Sequence, residues 1–177
     1  MKQKKRTILI PDGESEFAVK VLRCLSRSHE KLSVNVLSHN SWSAVRFSRY
    51  TTKYTQYLKP ESDLKKVERI IETALKTKSQ VLMPVDVEAI KLISTYRNLF
   101  NNFALPPLPS PNSLEIAEDK GKLTRFLLAK KISVPTTIFC NDINIQDIKN
   151  LSFPVLLKKT DARGGGGIRL YNNYENL

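Results

Sequence analysis

Short apolar runs alternate with segments of helical periodicity along the first hundred residues. The runs have the length and apolar content of buried strands: residues 7–11, 31–38 and 80–84. In the helical segments, apolar residues recur every three or four positions. These segments are residues 14–28, the segment capped by Ser62 and the segment that begins at Asp86. Residues 39–60 are irregular apart from one helical turn near 43–48. Strands alternating with helices in this way predict βαβ units and a mostly parallel sheet.

Polar residues follow two of these predicted strands. Asp12 and Gly13 come directly after the first strand, and Asp86 and Glu88 come shortly after the strand at 80–84. In an open parallel sheet, ligands lie beyond the carboxyl ends of the strands, so these residues stand where a ligand is expected. Asp86 is equally well interpreted as the N-cap of the helix that follows it.

A proline-rich segment divides the sequence. Residues 105–111 read LPPLPSP, a composition typical of a stiff extended connector, and we predict domains at 1–105 and 106–177. Beyond it we predict a helix capped by Asn112 or Ser113, an interruption at 118–121 and a continuing helix to about Lys131. Strands are predicted at 134–139, 153–158 and 168–171, with a short helix at 143–150.

The composition narrows the class of protein. Apolar residues make up 41% and charged residues 26%, close to the average for globular domains, which excludes disordered and collagen-like chains. No stretch reaches the roughly 18 to 20 apolar residues of a membrane span, and the first apolar run is too short for a secretory signal. Two cysteines cannot form a disulfide framework. We therefore expect a cytoplasmic protein that does not enter a membrane.

The chain carries an excess of positive charge. Its 29 basic and 17 acidic residues leave a net charge of +12, which favours polyanionic partners. Residues 31–60 contain basic and aromatic residues but no acid. One interpretation is a surface for single-stranded nucleic acid; the other, which we favour, is that the aromatic residues pack the loop and the basic groups stay solvated. Nucleic acid is then not an expected partner, and His29 and His39 are interpreted as solvated loop residues.

The glycine run at 164–167 is the most informative local feature. Arg163 precedes these four glycines, and Lys158 ends the apolar strand before them. Four glycines are entropically costly, so a fold keeps them for unusual backbone conformations or for close approach to a ligand such as a polyphosphate. The pattern matches neither the dinucleotide-binding fingerprint nor the P-loop, because no helix follows and the lysine comes first. A mobile hairpin tip is the alternative interpretation.

Three segments in order resemble the ATP-grasp superfamily, specifically the branch with carbamoyl-phosphate synthase large-subunit-like proteins and carboxylate–amine ligases. Residues 81–100 resemble the last strand and helix of the family's first domain, and residues 108–137 resemble the segment with an acidic–basic pair before a helix. Residues 153–173, FPVLLKKTDARGGGGIRLYNN, resemble its strand, lysine and glycine-rich flap. The resemblance implies an α/β fold: a Rossmann-like parallel-sheet pre-ATP-grasp domain, followed by the first, incomplete α+β part of an ATP-grasp domain.

The resemblance also implies roles for particular residues. Lys120 matches the first basic residue that contacts the nucleotide, and Lys158 matches the strand lysine that contacts the ATP phosphates. The residues that match the flap are Asp161, Ala162, Arg163, Gly164, Gly165, Gly166 and Gly167. Asp12, Gly13, Asp86 and Glu88 match the region where such proteins often hold the acceptor substrate. No catalytic residue is identified.

The implied reaction is an ATP-dependent ligation. A carboxylate is activated as an acylphosphate, which an amine or similar nucleophile then attacks, with ATP, magnesium and a small carboxylate as partners. The family's magnesium ligands lie downstream of the flap, so we expect none in this chain and no turnover from it alone. A homodimer is possible, and the sequence does not determine the oligomeric state. Two other interpretations are a basic nucleic-acid-binding module and a non-catalytic ATP-grasp-like interaction domain.

Overall fold

The chain forms two compact units. The computed structural model describes residues 6–59, 62–140, 148, 150–162 and 166–176. Its contacts divide the polypeptide into Met1–Pro111 and Asn112–Leu177. Residues 105–110 of the proline-rich connector lie outside any helix or strand, just before this division. The functional domain assignment at 1–105 and 106–177 stays a prediction.

A parallel four-stranded sheet organises the first unit. Its strands are β1 (Arg6–Ile10), β2 (Leu32–Ser38), β3 (Lys53–Gln56) and β4 (Val81–Leu82), in the spatial order β3-β2-β1-β4. All pairs are parallel, and Ile8 of β1 lies opposite Val34 of β2 and Val81 of β4. The predicted α/β class with a parallel sheet is confirmed. Strand β3 was not predicted.

Three helices pack on this sheet: α1 (Ala18–Leu25) connects β1 to β2, α2 (Asp63–Lys76) connects β3 to β4, and α3 (Val87–Thr95) follows β4. Short 3₁₀ helices occupy Ala44–Phe47 and Arg97–Phe100. The predicted caps of α2 and α3 form as expected. The Ser62 side chain accepts a hydrogen bond from Lys65 N at 3.3 Å, and the Asp86 side chain accepts one from Val87 N at 2.7 Å. No helix in the described part of the chain has the length and apolar character needed to cross a membrane.

Side-chain alternation along the strands builds a core on each face of the sheet. Leu9 points into a cluster with residues of α2 and α3, whereas its neighbour Ile10 points into a cluster with residues of α1. Phe100 and Leu82 are fully buried in the first cluster. The helices therefore cover both faces, and the carboxyl edge of the sheet is left to the loops.

The second unit combines helices with a hairpin. Its elements are α4 (Pro111–Glu118), α5 (Lys120–Ala129), β5 (Val155–Lys158), β6 (Ile168–Tyr171) and a 3₁₀ turn at Tyr174–Asn176. Strands β5 and β6 pair antiparallel. Helix α4 begins one residue before the predicted cap at Asn112 or Ser113, because proline suits the first helical position.

The segment between α5 and β5 differs from the sequence prediction. The prediction of a strand at 134–139 is wrong, since these residues form neither a strand nor a helix. Pro135 cannot donate to a strand ladder, and Thr136 and Thr137 are exposed, so the segment has no buried face to pair. The helix predicted at 143–150 lies largely outside the described residues.

Candidate functional site

The start of helix α5 lies against the segment that follows strand β5. The Asp119 side chain caps the helix by accepting a hydrogen bond from Lys122 N at 2.8 Å. Lys120 N donates to the carbonyl oxygen of Thr160 at 3.0 Å. The Lys120 Nζ donates to the carbonyl oxygen of Ala162. Lys120 is thereby held beside the residues that connect Lys158 to the glycine run.

Close packing at Gly121 makes this contact possible. A Cβ atom at Gly121 would lie 3.1 Å from Asp119 Oδ1 and 3.3 Å from the Thr160 Cγ2, and the glycine is buried. A larger residue would therefore move the helix start away from Thr160. The sequence analysis named Lys120 as a site residue but gave Gly121 only as part of the interruption at 118–121.

Lys158 ends strand β5 and shares one face of the hairpin with apolar residues. It lies opposite Ile168, and the next pair on that face is Leu156 with Leu170. Lys158 is exposed, and with the described residues its side chain forms no hydrogen bond or ion pair. Leu156 and Leu170 are also more than half exposed, at 54% and 60%. Among the described residues, the hairpin thus presents exposed apolar side chains beside the ammonium group of Lys158.

The described end of the glycine run is tightly shaped. Gly167 has φ +70°, a conformation that side chains disfavour. A Cβ atom there would lie 2.9 Å from Cγ and Cδ of Lys159, whose backbone N–H donates to the Gly167 carbonyl oxygen at 3.1 Å. Gly166 and Asp161 are exposed, and Ala162 is half-buried. Arg163, Gly164 and Gly165 lie outside the described residues.

The arrangement of the second unit suits a polyphosphate. Two lysines flank one connecting segment, and a glycine in the left-handed region ends the loop that follows it. Ammonium groups and backbone N–H groups are the donors that bind phosphate oxygens in proteins. Among the described residues, no group of three histidines, cysteines or acids could hold a metal ion. The lysines and the backbone N–H groups supply donors for phosphate oxygens, and the described residues supply no ligand set for a metal ion.

In the first unit, Asp12 occupies the point where the strand order reverses. From β1 the chain runs outward through β2 and β3, then returns to place β4 on the other side of β1. Asp12 Oδ2 accepts hydrogen bonds from Asp86 N at 2.7 Å and from Val85 N at 3.1 Å. Burial raises the pKa of the Asp12 carboxyl to about 7, although these two hydrogen bonds act to lower it. Asp12 thus joins β1 to the start of α3.

The other predicted substrate residues also make structural contacts. Asp86 caps α3, one of the two interpretations that the sequence left open. Gly13 N donates to the Leu37 carbonyl oxygen at 2.9 Å, and the Gly13 carbonyl oxygen accepts a hydrogen bond from the Ser43 hydroxyl. Glu88 lies in the first turn of α3. The four residues lie at one edge of the sheet, and their role in binding a substrate stays a prediction.

Gly13 offers a direct test of how tightly this edge is packed. A Cβ atom at Gly13 would lie 2.3 Å from Cγ1 of the buried Val36 and 3.2 Å from the Leu37 carbonyl oxygen. We expect Gly13→Ala to lower the free energy of unfolding by about 1 to 3 kcal/mol, measured by urea denaturation. The double variant Gly13→Ala/Val36→Ala removes the nearest clashing atom. It should cost less than the sum of the two single variants, and full additivity would contradict the steric explanation.

A polar group near this edge was missed by the sequence reasoning. Glu14 Oε1 lies 3.1 Å from His39 Nδ1 and 3.9 Å from Lys66 Nζ. The prediction of a solvated His39 is therefore wrong, because the ring is half-buried against Glu14 and lies 6.0 Å, edge to face, from the ring of Tyr57. Glu14 Oε2 and the Tyr57 hydroxyl are buried without a partner in the described structure. Burial, followed by the negative charges of Glu14 and Asp12, raises the pKa of Tyr57.

A positional signal could have found these residues. Glu14, His39 and Tyr57 each follow the carboxyl end of a strand in the order β1, β2 and β3. Such ends meet at one edge of a parallel sheet. The sequence analysis did not recognise this pattern, because it predicted no strand at the position of β3.

Comparison with known proteins finds solved structures that share this fold. No family model matches the sequence, and no curated protein matches it at the significance required. One similar structure is biotin carboxylase from Campylobacter jejuni, solved as a β,γ-ATP complex. The match covers 97% of this chain and 39% of the biotin carboxylase chain, with a TM-score of 0.67 and 19% sequence identity.

Two further structures show the same likeness. The biotin carboxylase domain of Hydrogenobacter thermophilus 2-oxoglutarate carboxylase, a dimer with MgADP, ADP and bicarbonate, matches 96% of this chain and 38% of its own, with a TM-score of 0.61 and 21% identity. L-amino acid ligase from Bacillus licheniformis matches 99% of this chain and 41% of its own, with a TM-score of 0.59 and 16% identity. The chain spans about two fifths of the length of these structures. The structural match extends over nearly the whole of this chain, and it includes the parallel sheet of the first unit.

Proposed function

We propose that this chain belongs to an ATP-grasp ligase and contributes part of its triphosphate site. One observation carries the proposal: Lys120 is bonded through both its backbone and its side chain to residues 160–162, which link Lys158 to the glycine run. The fold likeness supports it, since biotin carboxylases and the amino acid ligase are ATP-grasp enzymes. Residues 1–105 would form the pre-ATP-grasp domain, and residues 106–177 the start of the ATP-grasp domain.

The finer assignment is to the carbamoyl-phosphate synthase-like and carboxylate–amine ligase branch. ATP, with magnesium bound elsewhere in the whole protein, would supply the phosphoryl group that activates a small carboxylate for attack by an amine. Asp12, Gly13, Asp86 and Glu88 would face the acceptor substrate. The sequence order of Lys120, Lys158 and the glycine run supports this branch.

Each site residue has a distinct task in binding the phosphates. The Lys120 ammonium has three N–H donors, of which one is used by the Ala162 carbonyl oxygen, so two remain for phosphate oxygens. Lys158 adds an exposed charge from the end of a paired strand, which fixes its direction. The loop from Asp161 to Gly167 would close over the phosphates and exclude water from the reacting group. Its glycines permit the backbone to approach without side-chain clashes.

The proposal is tested by titrating the isotope-labelled chain with ATP and following backbone amide signals by NMR, which detects weak binding as well as tight binding. We expect the signals of Lys120, Ala162, Gly166 and Gly167 to shift. Lys120→Ala and Lys158→Ala should each weaken ATP binding by roughly tenfold to a hundredfold, because each removes a charge-assisted bond to phosphate.

Two variants serve as matched controls. Lys122 lies two residues beyond Lys120 on α5 but pairs with Glu115. Arg169 lies on the hairpin face opposite to Lys158, since it pairs with Leu157. Lys122→Ala and Arg169→Ala remove the same charge and should leave ATP affinity within about twofold. If the Lys120 and Lys158 variants bind ATP as well as these controls do, the proposed site is wrong.

A further inference from the structure

A group of exposed and half-buried aromatic and arginine side chains lies on β3 and on the segment that connects β2 to it. We call it the aromatic–arginine surface, and its members are Trp42, Arg46, Phe47, Arg49, Tyr50 and Tyr54. Trp42 is 81% exposed and Phe47 is 67% exposed, although both are large apolar side chains. Exposed aromatic residues clustered in this way mark an interaction site more often than scattered ones do.

The packing interpretation that the sequence favoured holds for only part of this segment. Tyr57 is buried in the core, and Tyr50 and Tyr54 pack partly against the cluster around Val45. Trp42 and Phe47 instead lie outside both core clusters of the described chain. Their exposure is the observation that packing does not explain.

The rings and guanidinium groups of the surface are ordered relative to one another. The Trp42 and Phe47 ring centroids are 6.2 Å apart, with planes inclined by 31°. The Arg46 guanidinium lies 5.8 Å from the Phe47 centroid and 5.9 Å from that of Tyr54. Flat π surfaces and positive charge therefore alternate over a short distance, as expected of a site for stacked, negatively charged groups.

The backbone beneath the surface is anchored at several points. The Ser43 hydroxyl donates to the Gly13 carbonyl oxygen, and the Tyr54 hydroxyl donates to the Asn40 carbonyl oxygen. Thr51 Oγ1 donates to the carbonyl oxygen of the fully buried Val45 at 2.6 Å. Because the loop is tied to the sheet, little conformational entropy would be lost when a ligand binds.

The charge around the surface selects an anion. Residues 31–60 contain no aspartate or glutamate, whereas Arg46 and Arg49 belong to the surface. Beside Tyr50, Arg49 lies 4.9 Å over the ring and donates to its hydroxyl at 2.7 Å, and these contacts lower the pKa of Tyr50. An acidic ligand would meet no opposing charge from this segment.

We propose that the aromatic–arginine surface binds single-stranded nucleic acid. Bases would stack on Trp42 and Phe47, and Arg46 and Arg49 would contact the phosphates. Stacking tolerates every base, so the expected binding depends little on sequence. An anionic membrane fits less well, because the surface carries planar rings with arginines over them rather than the apolar face of an amphipathic helix. The inference is independent of the ATP site, which lies in the other unit.

The chain contains a built-in reporter for this proposal. Trp42 is the only tryptophan, so intrinsic fluorescence reports directly on the surface. We expect a fifteen-nucleotide oligodeoxythymidylate to quench this fluorescence as it is added to the full chain. Two phosphates bound by two arginines predict that the logarithm of the association constant falls with the logarithm of salt concentration, with a slope of about −1.4.

Variants separate stacking from charge. Phe47→Ala keeps the reporter and should weaken binding about tenfold, because it removes one stacking ring. Arg46→Gln should reduce the magnitude of the salt slope by about 0.7. The matched controls are Phe17→Ala, which removes another exposed aromatic ring with a lysine over it, and Arg6→Gln, which removes an exposed arginine at the start of the inner strand β1. Both should bind like the unmodified chain.

The outcomes are decisive in either direction. Quenching that depends on salt, weakens in Phe47→Ala and persists in both controls supports the proposal. Absence of quenching, or equal losses in Phe47→Ala and Phe17→Ala, overturns it. So does a blue shift of Trp42 emission with phosphatidylglycerol vesicles when the oligonucleotide has no effect, since that result assigns the surface to a membrane. Circular dichroism checks that each variant is folded, which we expect because the altered side chains are exposed.

Discussion

Replacing Phe100 with alanine is expected to lower the free energy of unfolding of the first unit by about 3 to 5 kcal/mol. The ring is fully buried and packs in the cluster that joins the sheet to α2 and α3, with Leu9, Leu82 and Ile93 among its members. Alanine would leave a cavity there, since the surrounding strands and helices can close it only in part. Urea unfolding followed by the NMR signals of residues in the first unit, to which Phe100 belongs, measures this change.

The neighbouring residue provides the control. Leu99 lies in the same 3₁₀ helix but is 51% exposed. Leu99→Ala should change the free energy of unfolding by no more than about 0.5 kcal/mol, because it removes few buried contacts. Similar losses in the two variants would show that Phe100 does not hold the core together. Phe100→Leu should fall between them, as it refills part of the cavity.

The buried elements of the fold could be predicted from the sequence because burial leaves a pattern. Strands β1 and β2 are short apolar runs, and α2 and α3 combine apolar periodicity with capping residues. Strand β3, with the sequence KYTQ, lacks this signal because it is an edge strand whose residues are exposed or half-buried. Helix α1 starts at Ala18, later than the apolar pattern indicated, because residues 12–17 form turns at the end of β1.

In the candidate site too, some features could be predicted from the sequence and others could not. Lys120, Lys158 and the glycine run are recognisable because their order along the chain resembles a known family. The contact between Lys120 and Ala162 could not be predicted, since the two residues are 42 positions apart along the chain and meet only because helix α5 packs against the end of β5. The group formed by Glu14 and His39 was missed for a related reason: its members come from different strand ends, and only the strand order brings them together.

The protonation of Asp12 is expected to make the free energy of unfolding fall as pH rises. With its pKa raised to about 7, the native state holds a proton on Asp12 that the unfolded chain has already released above about pH 4. The unfolded state then binds fewer protons than the native state, so the free energy of unfolding falls with increasing pH. Between pH 5 and pH 8, this group should lower it by about 3 kcal/mol.

Asp12→Asn isolates this contribution. One oxygen, Oδ2, accepts the hydrogen bonds from Asp86 N and Val85 N, so the single amide oxygen of asparagine can replace it without a buried charge. We expect the variant to match the unmodified chain near pH 5 and to be more stable by about 3 kcal/mol at pH 8. Histidines ordinarily titrate in the same range, and the difference between the two proteins removes their effect. If the two pH profiles of stability run parallel, Asp12 is ionised in the native state, and its hydrogen bonds to the start of α3 outweigh its burial.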